Sequence, residues 1–161
     1  MVTLNSFNFN TTSGIRFGSG QAKDSCKEIF NKLGSRILFI TDKGLMSLGL
    51  TKPTIEEIKK MASVEVFDDV EADPSQKTLL KAIEIGKKFK TTGVIGFGGG
   101  SSMDVAKLSA LILGSNEDLE KAWGVANAKG PRLPLVLFPT TAGTGSEVTP
   151  ISIITIGEEE K

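Results

Sequence analysis

Gly93-Val94-Ile95-Gly96-Phe97-Gly98-Gly99-Gly100-Ser101-Ser102-Met103-Asp104-Val105-Ala106-Lys107 decides the fold, because an apolar strand runs into three consecutive glycines and straight into a helix start. Such a junction makes an anion site. Glycines without Cβ atoms let a diphosphate approach the main chain, and the first turn of the next helix offers unpaired N–H groups at the positive end of its dipole. A nucleotide is the natural guest; the plainer alternative is a tight strand-to-helix turn that binds nothing. The stretch is not a Walker-type phosphate loop, since no Gly precedes Lys107 and Leu108 stands where Ser or Thr would follow, nor is it Gly-x-Gly-x-x-Gly. Ser101 or Ser102 is the expected N-cap, which puts Asp104 in the first turn, where a carboxylate is favoured. A carboxylate repels phosphate, so Asp104 is read as a loop clamp or an acceptor on the ribose side.

A second loop of the same character is Pro139-Thr140-Thr141-Ala142-Gly143-Thr144-Gly145-Ser146-Glu147-Val148-Thr149-Pro150, which follows the strand Pro134 to Phe138. Its hydroxyls and bare amides can hold a diphosphate or a nicotinamide ribose without adding charge, although a capped turn is the commoner meaning of such a loop.

Outward from these loops, elements alternate. Gln21 to Leu33 reads as a helix ended by Gly34, Arg36 to Thr41 as a strand, and Pro53-Thr54 as a helix start with Ile55, Ile58 and Met61 inward. Val64 to Phe67 is a strand, and Pro74 opens a longer helix with Leu79, Ile83, Gly86 and Phe89 at helical spacing. Nearly continuous apolar strands between helices predict a doubly wound parallel sheet, α/β and Rossmann-like, in one domain spanning residues 1–161. Phe7-Asn8-Phe9 and Ile15-Arg16-Phe17 are expected to form an N-terminal edge hairpin, and Ile151 to Ile156 the first arm of another. Ligands of such sheets bind beyond the carboxyl ends of the strands. That places Asp42 where its carboxylate can accept from adenosine ribose hydroxyls and disfavour the extra phosphate of NADP, unless it only caps the turn Lys43 to Met46.

Composition excludes several classes. Lys+Arg and Asp+Glu are 19 each, with no basic stripe, which argues against nucleic acid as a partner. The chain has no His, so imidazole ligands for iron or zinc are missing, and no catalytic or metal-ligating residue is assigned. The single Cys26 lies on the apolar side of its helix and reads as a small core residue. No run is long and apolar enough to span a membrane and no signal peptide is evident, so a cytoplasmic location is expected.

The strings Gly98-Gly99-Gly100-Ser101-x-x-Asp104-x-Ala106-Lys107 and Pro139 to Thr149 resemble the signatures of the iron-containing (group III) alcohol dehydrogenase family. The resemblance also takes in Phe7 to Gly20, Thr41-Asp42-Lys43 and Glu71 to Ser75. It implies reversible hydride transfer between an alcohol and NAD, with NADP as the second option, and a metal ion polarising the substrate oxygen. It further implies a cofactor site of Asp42, Gly98, Gly99, Gly100, Ser101, Asp104, Thr140, Thr141, Thr144 and Thr149. Family members continue into an all-helical domain carrying most of the iron or zinc site. This chain is therefore expected to be the cofactor half, inactive alone, of a homo-oligomeric enzyme acting on a small alcohol or carbonyl compound. A stand-alone nucleotide-binding module and a relative resembling glycerol dehydrogenase or dehydroquinate synthase are the competing readings.

Overall fold

The apolar runs at Ile37 to Ile40 and Val94 to Phe97 become central strands whose two faces are both covered. The computed structural model describes residues 11–157. In chain order the helices and strands are α1 (Gln21–Asp24), α2 (Cys26–Leu33), β1 (Arg36–Ile40), α3 (Lys43–Ser47), α4 (Lys52–Lys59), β2 (Ser63–Phe67), α5 (Gln76–Phe89), β3 (Gly93–Gly98), α6 (Gly100–Ser115), α7 (Leu119–Ala122) and β4 (Leu135–Pro139), followed by a 3-10 turn at Ser146–Val148. The sheet has four parallel strands in the order β2-β1-β3-β4. The chain leaves β1 for β2 on one side and then crosses to β3 on the other, so the winding reverses between β1 and β3. The doubly wound Rossmann-like reading is thus the observed fold.

Alternation along each strand divides the core in two. Ile37, Phe39, Ile95 and Phe97 face Cys26, Ile29 and Leu33 of α2 and Ile55 and Ile58 of α4. Leu38, Ile40 and Val94 face Leu79, Ala82 and Ile83 of α5 and Val105, Ala106 and Ala110 of α6. This is why the strands read as unbroken apolar runs. A row of rings crosses the first face, Phe39 to Phe97 at 5.7 Å between centroids and Phe97 to Phe138 at 5.6 Å. On the second face Gly96 brings α6 onto β3: a Cβ there would stand 2.7 Å from the Ala106 Cβ and 2.8 Å from Leu137 Cδ2. β4 is an edge strand and only half-buried, less covered than its sequence suggested.

The ends of the elements depart from expectation in instructive places. Gly34 does end its helix, at φ 78, but that helix is pinched at Ser25, where α1 passes into α2 with the Ser25 N–H still bonded to the Gln21 carbonyl. Met61 lies past the end of α4 and is only partly buried. Ser101 and Ser102 are not caps: α6 begins at Gly100 with Gly99 as N-cap and no side-chain hydrogen bond to its first turn. Asp104 consequently sits beyond the first turn. Of the N-terminal hairpin, Phe7 to Phe9 lies outside the described residues, while Ile15-Arg16-Phe17 forms no strand and exposes Ile15 and Phe17.

Ile151 to Ile156 is not a strand either. Thr155 makes one parallel bridge to Ser75, its N–H donating to the Pro74 carbonyl and its carbonyl accepting from Gln76 N, while the Ile153 N–H goes to the Asp104 carboxylate. Alternate amides are thus spent on α6 and on the entry to α5, which leaves Ile151, Ile153 and Ile156 exposed without a ladder. Trp123 packs against the α5–α6 core, as a local anchor for the long connection into β4.

Two outcomes follow from this packing. Gly96→Val forces α6 away from β3 and should cost about 2 kcal/mol or more, read as a lower urea midpoint at unchanged slope. Cys26 is fully buried and burial, with Glu57 and Asp24 nearby, pushes its thiol up to about 11. The folded chain should therefore react with a thiol reagent at pH 8 only as fast as it opens, and promptly in denaturant.

Candidate functional site

β1, β3 and β4 are adjacent and parallel, so their carboxyl ends open on one edge, and the reversal between β1 and β3 makes the crevice there. Asp42 stands two residues past the end of β1. Its Oδ1 accepts from Leu45 N at 2.9 Å and caps α3, while Oδ2 makes no hydrogen bond among the described residues. The cap reading of Asp42 is observed, and one carboxylate oxygen is left over for another donor. Leu45 bridges to the neighbouring strand: a Cβ on Gly98 would come 3.4 Å from its Cδ1 and 2.6 Å from Ser102 Oγ.

Gly98, Gly99 and Gly100 form a bare cradle between β3 and the threonine loop. A Cβ on Gly99 would meet Thr141 Oγ1 at 3.4 Å, and one on Gly100 would meet Thr144 Cγ2 at 3.3 Å. Thr140 N donates to the Gly98 carbonyl at 2.9 Å, which carries the β3–β4 ladder one residue into the loop. Thr140, Thr141 and Thr144 are exposed, and Ser101 is half-buried in the uncapped first turn of α6. The fold therefore gathers Asp42, Gly98, Gly99, Gly100, Ser101, Thr140, Thr141 and Thr144 on one edge. Donors there are backbone amides and hydroxyls, and the acid stands apart at the end of β1, an arrangement that suits a diphosphate flanked by a ribose.

Asp104 and Thr149 meet at the far end of the threonine loop. Asp104 is buried, and both its oxygens are engaged: Oδ1 accepts from Ser146 Oγ at 2.6 Å and Oδ2 from Ile153 N at 3.0 Å. That is the clamp reading. Lys107, one turn on, pairs with Asp104 Oδ1 at 2.9 Å, with both side chains about one-tenth exposed. Its ammonium also donates to the carbonyls of Ser146 at 3.0 Å, Thr149 at 3.4 Å and Ile151. Thr149 itself is exposed and is held by its backbone rather than its hydroxyl.

Lys107 and Ser146 stand in the two signature strings, but the sequence assigned neither a role in the site. The i,i+3 spacing of Asp104 and Lys107 was the available signal, since it places the two on one helix face. The Glu71 to Ser75 turn is a second such cluster, closed by its own side chains. Glu71 Oε1 accepts from Ser75 N at 2.9 Å, Ser75 Oγ at 3.0 Å and Thr78 Oγ1 at 2.7 Å, closing the turn in which Asp73 takes φ 51. Among the described residues no three His, Cys, Asp or Glu side chains gather as a metal site, and no helix is long and apolar enough to cross a membrane.

The domain is a Rossmann-like unit with a glycine cradle at its switch point. Residues 12–161 match the family model for iron-containing alcohol dehydrogenase. Among curated proteins the chain is 34 % identical over 146 residues to sulfoacetaldehyde reductase of Bilophila wadsworthia, covering 89 % of this chain and 38 % of that protein. It is 38 % identical over 157 residues to choline dehydrogenase of Bacillus subtilis, covering 94 % and 39 %. Among solved structures, sulfoacetaldehyde reductase from Bifidobacterium kashiwanohense in complex with NAD+ superposes with a TM-score of 0.80 at 32 % identity, over 94 % of this chain and 40 % of that one. The chain belongs to the iron-containing alcohol dehydrogenase family, and it spans about two fifths of the length of these relatives.

Burial opposes the charge on Glu71, but hydrogen bonds from Ser75 and Thr78 outweigh it and hold the carboxyl below its ordinary 4.5. A depressed folded value adds stability above about pH 4.5 that is lost as pH falls through the lower folded value. Glu71→Gln should therefore lower the denaturant midpoint at pH 7, and the gap to the parent should narrow progressively below pH 4.5.

Proposed function

We propose that this chain forms the NAD(P)-binding portion of a metal-dependent alcohol dehydrogenase that interconverts an alcohol with its aldehyde or ketone. The carrying observation is that the glycine cradle, the first turn of α6 without a side-chain cap, and Asp42 with one oxygen free of hydrogen bonds among the described residues all stand beyond the carboxyl ends of the adjacent strands β1 and β3. In this reading the amides of Gly99, Gly100 and Ser101 hold the diphosphate, and Asp42 Oδ2 accepts from the adenosine ribose. Thr140, Thr141 and Thr144 line the path toward the nicotinamide ribose. Bound there, the nicotinamide supplies hydride transfer at its ring carbon. The chain's own residues bind and orient: the amides neutralise the diphosphate without a competing cation, and Asp42 sets the preference for NAD by repelling a 2′-phosphate.

The described residues do not fit the family's metal, since no His occurs in the chain and no three Cys, Asp or Glu side chains gather among the described residues. By itself the chain is proposed to bind cofactor without turning over alcohol. A small alcohol or carbonyl substrate completes the reading, supported by the likeness to a sulfoacetaldehyde reductase and a choline dehydrogenase, and a cytoplasmic homo-oligomer is proposed with it. Calorimetry tests it: the chain should bind NAD+, and Asp42→Gly should improve NADP+ binding relative to NAD+ about tenfold, or 1.4 kcal/mol. An unchanged ratio removes Asp42 from the site, and no binding of either cofactor removes the reading.

A further inference from the structure

Lys107 is a buried cation for which the proposed hydride chemistry has no direct use. Its surroundings are specific. Around its three N–H donors stand four oxygens, the Asp104 carboxylate and the carbonyls of Ser146, Thr149 and Ile151, so at least one donor is shared. Asp104 in turn takes Ser146 Oγ and Ile153 N. Every one of these partners apart from the pair itself belongs to residues 146–153, which runs on from the threonine loop. The loop at its other end rests on the cradle, Thr141 against Gly99 and Thr144 against Gly100. Ser146 N reaches back weakly to Thr144 Oγ1 at 3.4 Å. The loop is thus held at two places, by the cradle at Thr140–Thr144 and by the ion pair at Ser146–Ile153. The Asp42 and glycine-cradle contacts do not pass through the pair.

We propose that Lys107, through its pair with Asp104, is a positioning residue that fixes the loop from Thr144 to Thr149 over the nicotinamide half of a bound dinucleotide. The proposal rests on the reading that this crevice binds NAD. A carbonyl has no charge and an amide loop rich in glycine has many conformers, so a single ammonium collecting the carbonyls of Ser146, Thr149 and Ile151 selects one of them. Because the ammonium is buried, its hydrogen bonds are not traded against water. The adenosine and diphosphate end of the ligand meets only Asp42 and the cradle, whereas the nicotinamide end meets the loop that the pair holds. Loss of the pair should therefore divide the ligand into an unaffected half and a weakened half.

Titration of the chain with NAD+ and, separately, with ADP tests this, using the parent, Lys107→Met, Lys107→Arg and Ser146→Ala, each checked for folding by circular dichroism and melting. Lys107→Met should weaken NAD+ at least tenfold and leave ADP within about twofold. Lys107→Arg, which keeps a cation and several donors, should recover most of the NAD+ affinity. Ser146→Ala removes only the hydroxyl on Asp104 and should weaken NAD+ about threefold, again sparing ADP; it decides the matter if Lys107→Met does not fold. Equal losses for NAD+ and ADP, or no loss of NAD+, overturn the positioning role while leaving the cofactor reading intact. A parent chain that binds neither ligand removes the cofactor reading and the proposal with it.

Discussion

The distance between α6 and β3 is the constraint on which the rest of the structure depends. Gly96 permits it, because the backbone of β3 has nothing but hydrogen where Ala106 and Leu137 come to rest. With α6 this close, its first turn lies directly over the end of β3, and a chain that leaves the strand has only Gly98 and Gly99 in which to turn. The cradle is therefore a by-product of packing before it is a binding device. The same closeness buries α6 on nearly every side, with Met103, Val105, Ala106, Ala110 and Ile112 all inaccessible. A helix so enclosed has no solvated face for charge. Asp104 and Lys107 are tolerated there because each is the other's counter-ion and because residues 146–153 supply the remaining partners.

Such a pair is a weak source of net stability and a strong source of definition. Bringing two charges out of water costs about as much as their attraction returns, whereas removing one partner leaves the other stranded at a cost of about 3–5 kcal/mol. Its value lies in selecting one path for a segment of low intrinsic order. The threonine loop has two glycines at positive φ, Gly143 and Gly145, and no regular structure before the 3-10 turn. It needs an external template, and α6 provides it from beneath while the cradle provides it from the side.

Much of this was legible in the sequence. Apolar runs of five or six residues between amphipathic helices left little room for any arrangement but parallel strands covered on both faces, and Ile37 to Ile40 and Val94 to Phe97 are buried as that pattern requires. The glycine run, the threonine loop and Asp42 were each read at the strand ends where they stand. The missed features share a cause, which is that they are settled by contacts distant along the chain. Serine's preference for caps pointed to Ser101 or Ser102, but a helix pressed against a strand starts where the strand ends, and Gly99 serves with its backbone alone. The β-rich composition of Ile151 to Ile156 indicated a strand, yet its amides are claimed by Asp104 and by Pro74. Lys107 looked like one more helical lysine until its acceptors arrived from 39 to 44 residues downstream.

The registers of the sheet carry a consequence for the order of events in folding. Ile37 pairs with Gly93 and Val94 with Leu135, so no strand of the central pair can form its ladder until a long intervening loop has closed. Helices α2, α4 and α5 can each form locally long before that. The crevice, by contrast, exists only once β1, β3 and β4 are side by side, which makes it a late structure, assembled from contacts distant along the chain. Anything that binds there meets the completed fold and not its precursors, and by mass action holds the molecule on the folded side of the barrier.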